Sequence, residues 1–285
     1  MSDAGSNKAE HGSARPLIAA DLGNSRLKFG RYAQPFANLS AGKSSQLPEP
    51  ESWLSLGPEE SFSGIAQGLN LETPVNGVDW WIASVNQAAT MQLRRALRQM
   101  APSDGEDLRI HLLSHEHFPI KIELEQPDRV GKDRLAAATA ANCLRAPDRA
   151  AIIVDLGTAI TVDRLSAEGA FEGGAILAGL TTAAEGLRLR TDMLPRVSFH
   201  YLEVPPEPLG RSTIEAMRGG IFWGAVGAIR ELIVQLQRDL SQEPDVFITG
   251  GASALIAKAL GNGARHVPHL TLGGIVIAAK AACSQ

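Results

Sequence analysis

Two acidic turns place side by side the groups that handle phosphate. Ile18-Ala19-Ala20-Asp21-Leu22-Gly23 runs into Asn24 and Ser25, and Ile152-Ile153-Val154-Asp155-Leu156-Gly157 runs into Thr158. In each, a short apolar run ends in a carboxylate and a glycine-containing turn, which sets the carboxylate beside main-chain N–H groups left free by the turn. Such N–H groups form an anion-binding concavity, and glycine lets a phosphate approach the main chain. The Asp cannot face bare phosphate, because like charges repel. It reads instead as a ligand, direct or through water, for a magnesium ion carried by a nucleotide. A third turn, Thr249-Gly250-Gly251-Ala252-Ser253, leads from a strand into a helix, whose N-terminus favours anions. Each piece also has a plainer reading as a common turn or a strand-to-helix joint. Together, and in this order, they point to two loops gripping one polyphosphate. Neither G-x-x-x-x-G-K-[ST] nor a strand-led G-x-G-x-x-G occurs, which removes support from the two usual nucleotide folds.

The elements that must position these turns follow from periodicity. Leu17–Asp21 and Leu27–Tyr32 read as a hairpin with Lys28 near the start of its second strand, and Ala150–Asp155 and Ile160–Leu165 as another. Strands are expected at 80–84, 108–113, 171–177 and 246–248. Helices are expected at 50–56, 61–69, 87–100, 135–144, 179–190, 212–240 and 272–282, with Asp133 at or near the start of the alanine-rich one. Strand alternating with helix argues α/β. The acidic unit recurs about one domain length along the chain. The expected architecture is therefore two tandem domains, residues 16–148 and 149–285, facing each other across a cleft.

Composition sets the outer limits. The 285 residues are 44% apolar and 20% charged, which supports one large or two modest cores and excludes disorder as the main state. A formal net charge of −4 gives no electrostatic footprint for nucleic acid or an anionic membrane surface. No uninterrupted apolar run approaches the ~20 residues that span a bilayer. Residues 1–15 are polar and small, without the apolar middle of a secretory signal, and read as a disordered tail. Cys143 and Cys283 are too few for a disulfide framework, which fits a reducing, cytoplasmic setting.

Four ordered segments carry a family resemblance. Asp21-Leu22-Gly23-Asn24-Ser25 with Lys28, Gly131-Lys132-Asp133-Arg134, Asp155 through Asp163, and Gly173-Gly174-Ala175-Ile176 resemble the motifs of type III pantothenate kinase. That family belongs to the acetate and sugar kinase, heat-shock chaperone and actin superfamily, and the resemblance runs from about Leu17 to Ala282. It implies two ribonuclease-H-like, actin-like ATPase domains with the nucleotide between them. It also implies a homodimer that phosphorylates pantothenate with ATP, Mg2+ and a monovalent cation, K+ or NH4+. Carried over by position, Asp21, Gly23, Asn24, Ser25 and Lys28 form the first phosphate loop, with Asp21 toward magnesium. Asp133 accepts the substrate hydroxyl proton, Asp155 holds the monovalent cation, and Thr158 touches ATP phosphate. Gly131, Lys132, Arg134 and Thr213 lie against pantothenate, and Gly250 and Gly251 form the adenosine-side turn.

The chemistry of the residues agrees with that placement. Phosphoryl transfer needs positioning, charge stabilisation and a carboxylate that orients the attacking hydroxyl. A helix start favours ionised Asp133, and Lys132 and Arg134 attract an anionic substrate. Read without the resemblance, Asp133 is a helix cap. Three positions depart from the family pattern: Lys132 replaces a small residue, Ala178-Gly179 replaces Pro-Gly, and Leu124 stands where a substrate-facing tyrosine is common. Three rivals remain: a kinase for another small hydroxylated substrate, a non-catalytic regulatory relative affecting transcription, and a zinc protein using His111, His115 and His117.

Overall fold

The computed structural model describes residues 15–36, 46–71, 75, 77–101, 107–199, 202–261 and 263–284. The twin apolar runs become matching strands, β1 (Leu17–Leu22) and β6 (Ala151–Leu156), each central in a five-stranded sheet. The first sheet runs β3-β2-β1-β4-β5, with β2 (Leu27–Tyr32), β3 (Ser52–Leu56), β4 (Asp79–Ser84) and β5 (Arg109–Leu112). The second runs β8-β7-β6-β9-β10, with β7 (Ala159–Leu165), β8 (Phe171–Ala178), β9 (Asp245–Gly250) and β10 (Ala264–His266). In both, the central strand pairs antiparallel with the next strand of its hairpin and parallel with a later strand. The six-residue echo in sequence is therefore an echo of whole-sheet topology.

Helices cover both faces of each sheet. The outer face of the first carries α1 (Ile65–Gly68) and α2 (Gln87–Met100), sealing a core around Phe29, Trp80 and Leu93. The outer face of the second carries α5 (Thr213–Leu236) and α6 (Ser253–Leu260) over Ile152, Phe222 and Ile248, with α4 (Leu180–Arg190) packed against α5. Between the sheets lie α3 (Lys132–Leu144) and α7 (Leu270–Cys283). They share one core with Leu17 and Trp81 of the first sheet and Ile153 and Phe247 of the second. The alanine run of α3 has a packing reason: small side chains let α7 cross so closely that Gly274 lies directly on the Ala136 main chain. Although α7 ends the chain, it packs on β1 and β4 of the first sheet.

Several expectations change. Residues 52–56 form edge strand β3, not a helix, because they pair antiparallel with β2 from Arg31↔Ser52 to Leu27↔Leu56. Strand β10 carried no strong sequence signal. The expected tail falls outside the described residues up to 14, whereas Arg15 pairs with Asp79 at 3.4 Å and with Asp107. By length and composition, α5 is long and apolar enough to cross a bilayer, contrary to the expectation that no stretch would be. Its 24 residues carry Glu215, Arg218, Arg230 and Glu231, and Phe222, Val226 and Ile229 on it are buried in the second core.

Candidate active site

The turns of the two acidic hairpins meet. Asp21, one residue from the end of β1, is opposite Lys28 in the β1–β2 register, and its Oδ2 is 3.9 Å from the Lys28 ammonium. Asp155 holds the same place in β6, opposite Thr161 of β7 and Thr249 of β9. The hairpins are thus twins in backbone but not in charge, since Lys28 has a threonine as counterpart. The turns touch: Thr158 Oγ1 donates to Ser25 Oγ at 2.7 Å.

The electrostatics tie these groups to α3. Burial pushes Asp21 up to about 7; Lys28 opposes this, and the Asp133 and Asp155 carboxylates add to it. Burial likewise raises Asp155, with Lys28 opposing and Asp133 and Asp163 contributing. Desolvation works to lower the Lys28 ammonium, but Asp155, Asp21 and Asp133 outweigh it and hold its pKa above the usual range. One ammonium therefore serves three carboxylates. Oxygen donors alone, with negative charge in excess, suit hard cations. Asp155 Oδ1 is sealed from solvent without a hydrogen-bond partner, an arrangement a cation would relieve. Among the described residues no three His, Cys, Asp or Glu side chains gather into a metal site, so nucleotide oxygens or water must complete any coordination shell.

Asp133 is the second residue of α3, after its N-cap Gly131. Its Oδ1 accepts the Arg134 main-chain N–H at 2.8 Å. The Arg134 side chain turns to the second sheet, where Nε donates to both oxygens of Asp163 at 3.1 Å and Nη2 to Oδ1. Lys132 donates its ammonium to the carbonyls of Asp128 at 2.9 Å and Val130 at 3.0 Å, fastening the turn before the helix. Thr213 begins α5 and lines a groove of about 450 Å³ with Leu187, Leu194, Ala216 and Met217. No hydrogen bond or ion pair joins it to Asp133, Lys132 or Arg134 among the described residues.

The first two glycines close their own turns and leave the neighbouring amides free. The Gly23 N–H closes its own turn on Arg26 O at 3.1 Å, and the Gly157 N–H on Ala159 O at 3.0 Å. The amides of Asn24, Ser25 and Thr158 are the ones without a main-chain partner among the described residues. Gly250 has φ +102°, and a Cβ there would come within 2.6 Å of Asp155 Oδ1 and 2.5 Å of Leu156 O. Its missing side chain makes room for β6, while Gly251 faces open space. Sequence reasoning missed Asn86, which caps α2 and donates Nδ2–H to Gly23 O at 3.3 Å. An Asn between a strand and an amphipathic helix was the available signal. It also gave no role to Asp163 and missed the Ser253 pairing with His266 Nε2 at 2.8 Å. The histidine cluster forms no metal site: His111 stacks on Trp81 with centroids 4.2 Å apart, and His117 Nδ1 accepts the Ser114 N–H at 2.9 Å.

Comparison with known proteins now bears on this cleft. The family model of type III pantothenate kinase matches residues 17–235. The chain belongs to the type III pantothenate kinase family. A type III pantothenate kinase from Persephonella marina is 37% identical over 246 residues, covering 86% of this chain and 90% of that protein. Another, from Dehalococcoides mccartyi strain ATCC BAA-2266, is 40% identical over 162 residues, 55% of this chain. The chain spans only 59% of the length of that Dehalococcoides relative. Among solved structures, a Campylobacter jejuni protein described as a Baf family transcriptional activator aligns with TM-score 0.56 at 18% identity. That alignment covers 95% of this chain and 100% of the other, a likeness of fold. The α/β fold of two five-stranded sheets accords with that likeness.

Proposed function

We propose that this chain transfers the γ-phosphoryl group of ATP to the primary hydroxyl of pantothenate, giving 4′-phosphopantothenate in the first step of coenzyme A biosynthesis. The observation that carries the reading is Asp133, set on the first turn of α3 where the Asp21 and Asp155 hairpins meet. In the transfer, Asp133 takes the hydroxyl proton, the hydroxyl oxygen bonds to the γ-phosphorus, and the bond to the β-phosphate oxygen breaks to release ADP. Lys28 offsets charge on the phosphates, which the amides of Asn24, Ser25 and Thr158 hold together with their side chains. Gly23 shapes the first turn, and Gly250 and Gly251 border the adenosine side. Gly131, the Lys132 main chain and Arg134 face pantothenate. Magnesium at Asp21 and a monovalent cation at Asp155, when bound, would screen the negative charge shared by carboxylates and triphosphate.

The test is ATP turnover by the purified chain with magnesium and potassium, on pantothenate and on a panel of small sugars. Pantothenate alone should be phosphorylated, and Asp133→Asn should lower kcat by about a hundredfold or more. A near-normal rate in that variant removes Asp133 from the mechanism. Nucleotide binding without turnover on any substrate overturns the reading itself.

The same reading includes a homodimer in the cytoplasm, with domains dividing near residue 149 and no nucleic-acid or membrane partner. The surface that suits a second copy is the side of α5 on which Trp223 and Val234 are exposed. Gly220, Gly224 and Gly227 of α5 have open space above them, room for the Trp223 ring of an antiparallel partner helix.

A further inference from the structure

We propose that Asp163 is a positioning residue that aims the Arg134 guanidinium at the carboxylate of the substrate. The inference rests on the pantothenate kinase reading and goes beyond it, because it assigns work to a residue outside the phosphate turns and the general base. Asp163 lies on β7 and is 2% exposed, the most deeply buried carboxylate in the cleft region. It is opposite Gly174 in the β7–β8 register. A Cβ at Gly174 would collide with Val162 O and come within 2.7 Å of Asp163 Oδ1, so the glycine is what allows the carboxylate to lie against the strand. The site is therefore built around this side chain.

Asp163 grips one edge of the guanidinium, Nε and Nη2, and the Phe171 ring lies 5.5 Å beneath its carbon. Two parallel hydrogen bonds and a ring fix a planar group in orientation as well as position. The remaining edge, Nη1, has no partner among the described residues and is not sealed from solvent. The pair also anchors the first turn of α3, where Arg134 follows Asp133 directly. An arginine beside several carboxylates would otherwise be drawn to whichever is nearest. Holding it on Asp163 keeps it off Asp133 and Asp155 and leaves one fixed pair of N–H donors for an incoming anion.

Two effects of removing the Asp163 charge oppose each other. Freed of its partner, Arg134 would present more net positive charge to an anionic substrate; released from its anchor, it would lose the geometry that recognises one. The proposal requires the second to win, because a misdirected guanidinium in an acidic cleft pairs with Asp133 or Asp155 instead of substrate.

The experiment compares kcat/KM for pantothenate with kcat/KM for its uncharged primary amide, which keeps the reacting hydroxyl. Their ratio does not depend on the fraction of enzyme folded, so a loss of stability in the variant does not imitate the effect. Asp163→Asn should lower the ratio about tenfold, the loss of one aligned charge-assisted contact. Arg134→Gln should lower it at least as much, and adding Asp163→Asn to that variant should change it little, since Asp163 acts through Arg134. A ratio unchanged or raised by Asp163→Asn overturns the proposal, as does an additive double variant. If the wild-type chain phosphorylates neither compound, the kinase reading fails first and this inference falls with it; wild-type turnover with an unmoved ratio in the variant defeats this inference alone.

Discussion

Replacing Asp21 with Asn should make the protein more stable at pH 8 while impairing its chemistry. Asp21 is 6% exposed, and its pKa is raised from 3.8 to about 7 by burial first, then by Asp133 and Asp155 against the opposing Lys28. A carboxyl with a raised folded pKa holds a proton that the unfolded chain releases between about pH 4 and pH 7. Its contribution to stability is complete below about pH 4 and is lost as pH rises through about 7. Three units at ~1.36 kcal/mol each put the loss at about 4 kcal/mol, an upper figure because local relaxation and water entry reduce it. Asn keeps the shape and removes the ionisation, while Lys28 retains Asp155 as a counter-charge. Urea unfolding of both proteins at pH 5 and pH 8 is the assay. Wild type should lose stability across that interval, and the variant should lose about 2–3 kcal/mol less, since only about two of the three units fall between pH 5 and pH 7. Asp155, also raised, leaves some slope in the variant. Equal pH dependence in the two proteins would refute the premise that Asp21 is held against its own ionisation.

Two further outcomes follow from backbone and surface geometry. Gly250→Ala should destabilise the chain by about 1–3 kcal/mol and weaken nucleotide binding, because φ +102° and contact with Leu156 O leave no room for a methyl group; urea unfolding and nucleotide titration read the two effects, and an unchanged midpoint would count against the close approach. Trp223→Asp should convert a dimer into a monomer in analytical ultracentrifugation; a variant that stays dimeric, or a wild type that is monomeric, places self-association elsewhere or nowhere.

Much of the site was legible because it is built from local patterns. Strand, carboxylate, glycine and returning strand are neighbours in sequence, so the Asp21 and Asp155 hairpins could be read directly, as could Asp133 at the head of an alanine-rich helix. The residues that modify those roles were harder to see. Asn86 reaches Gly23 O from another strand-helix junction, and Asp163 meets Arg134 only because β7 packs beside α3. Residues 52–56 show the opposite failure. Pro50 and Glu51 resemble a helix start, yet the unpaired edge of β2 gives this segment hydrogen-bond partners that a short isolated helix lacks.

The order of the twin units and the identity of the acidic groups were set by the amino-acid sequence, since both are expressed over a few consecutive residues. Tertiary structure alone decided how those groups share charge: one Lys28 among three carboxylates, Arg134 held by Asp163, and the Gly250 gap filled by β6. Distance between charges and access to water depend on which sheets and helices meet, and no local periodicity encodes that meeting.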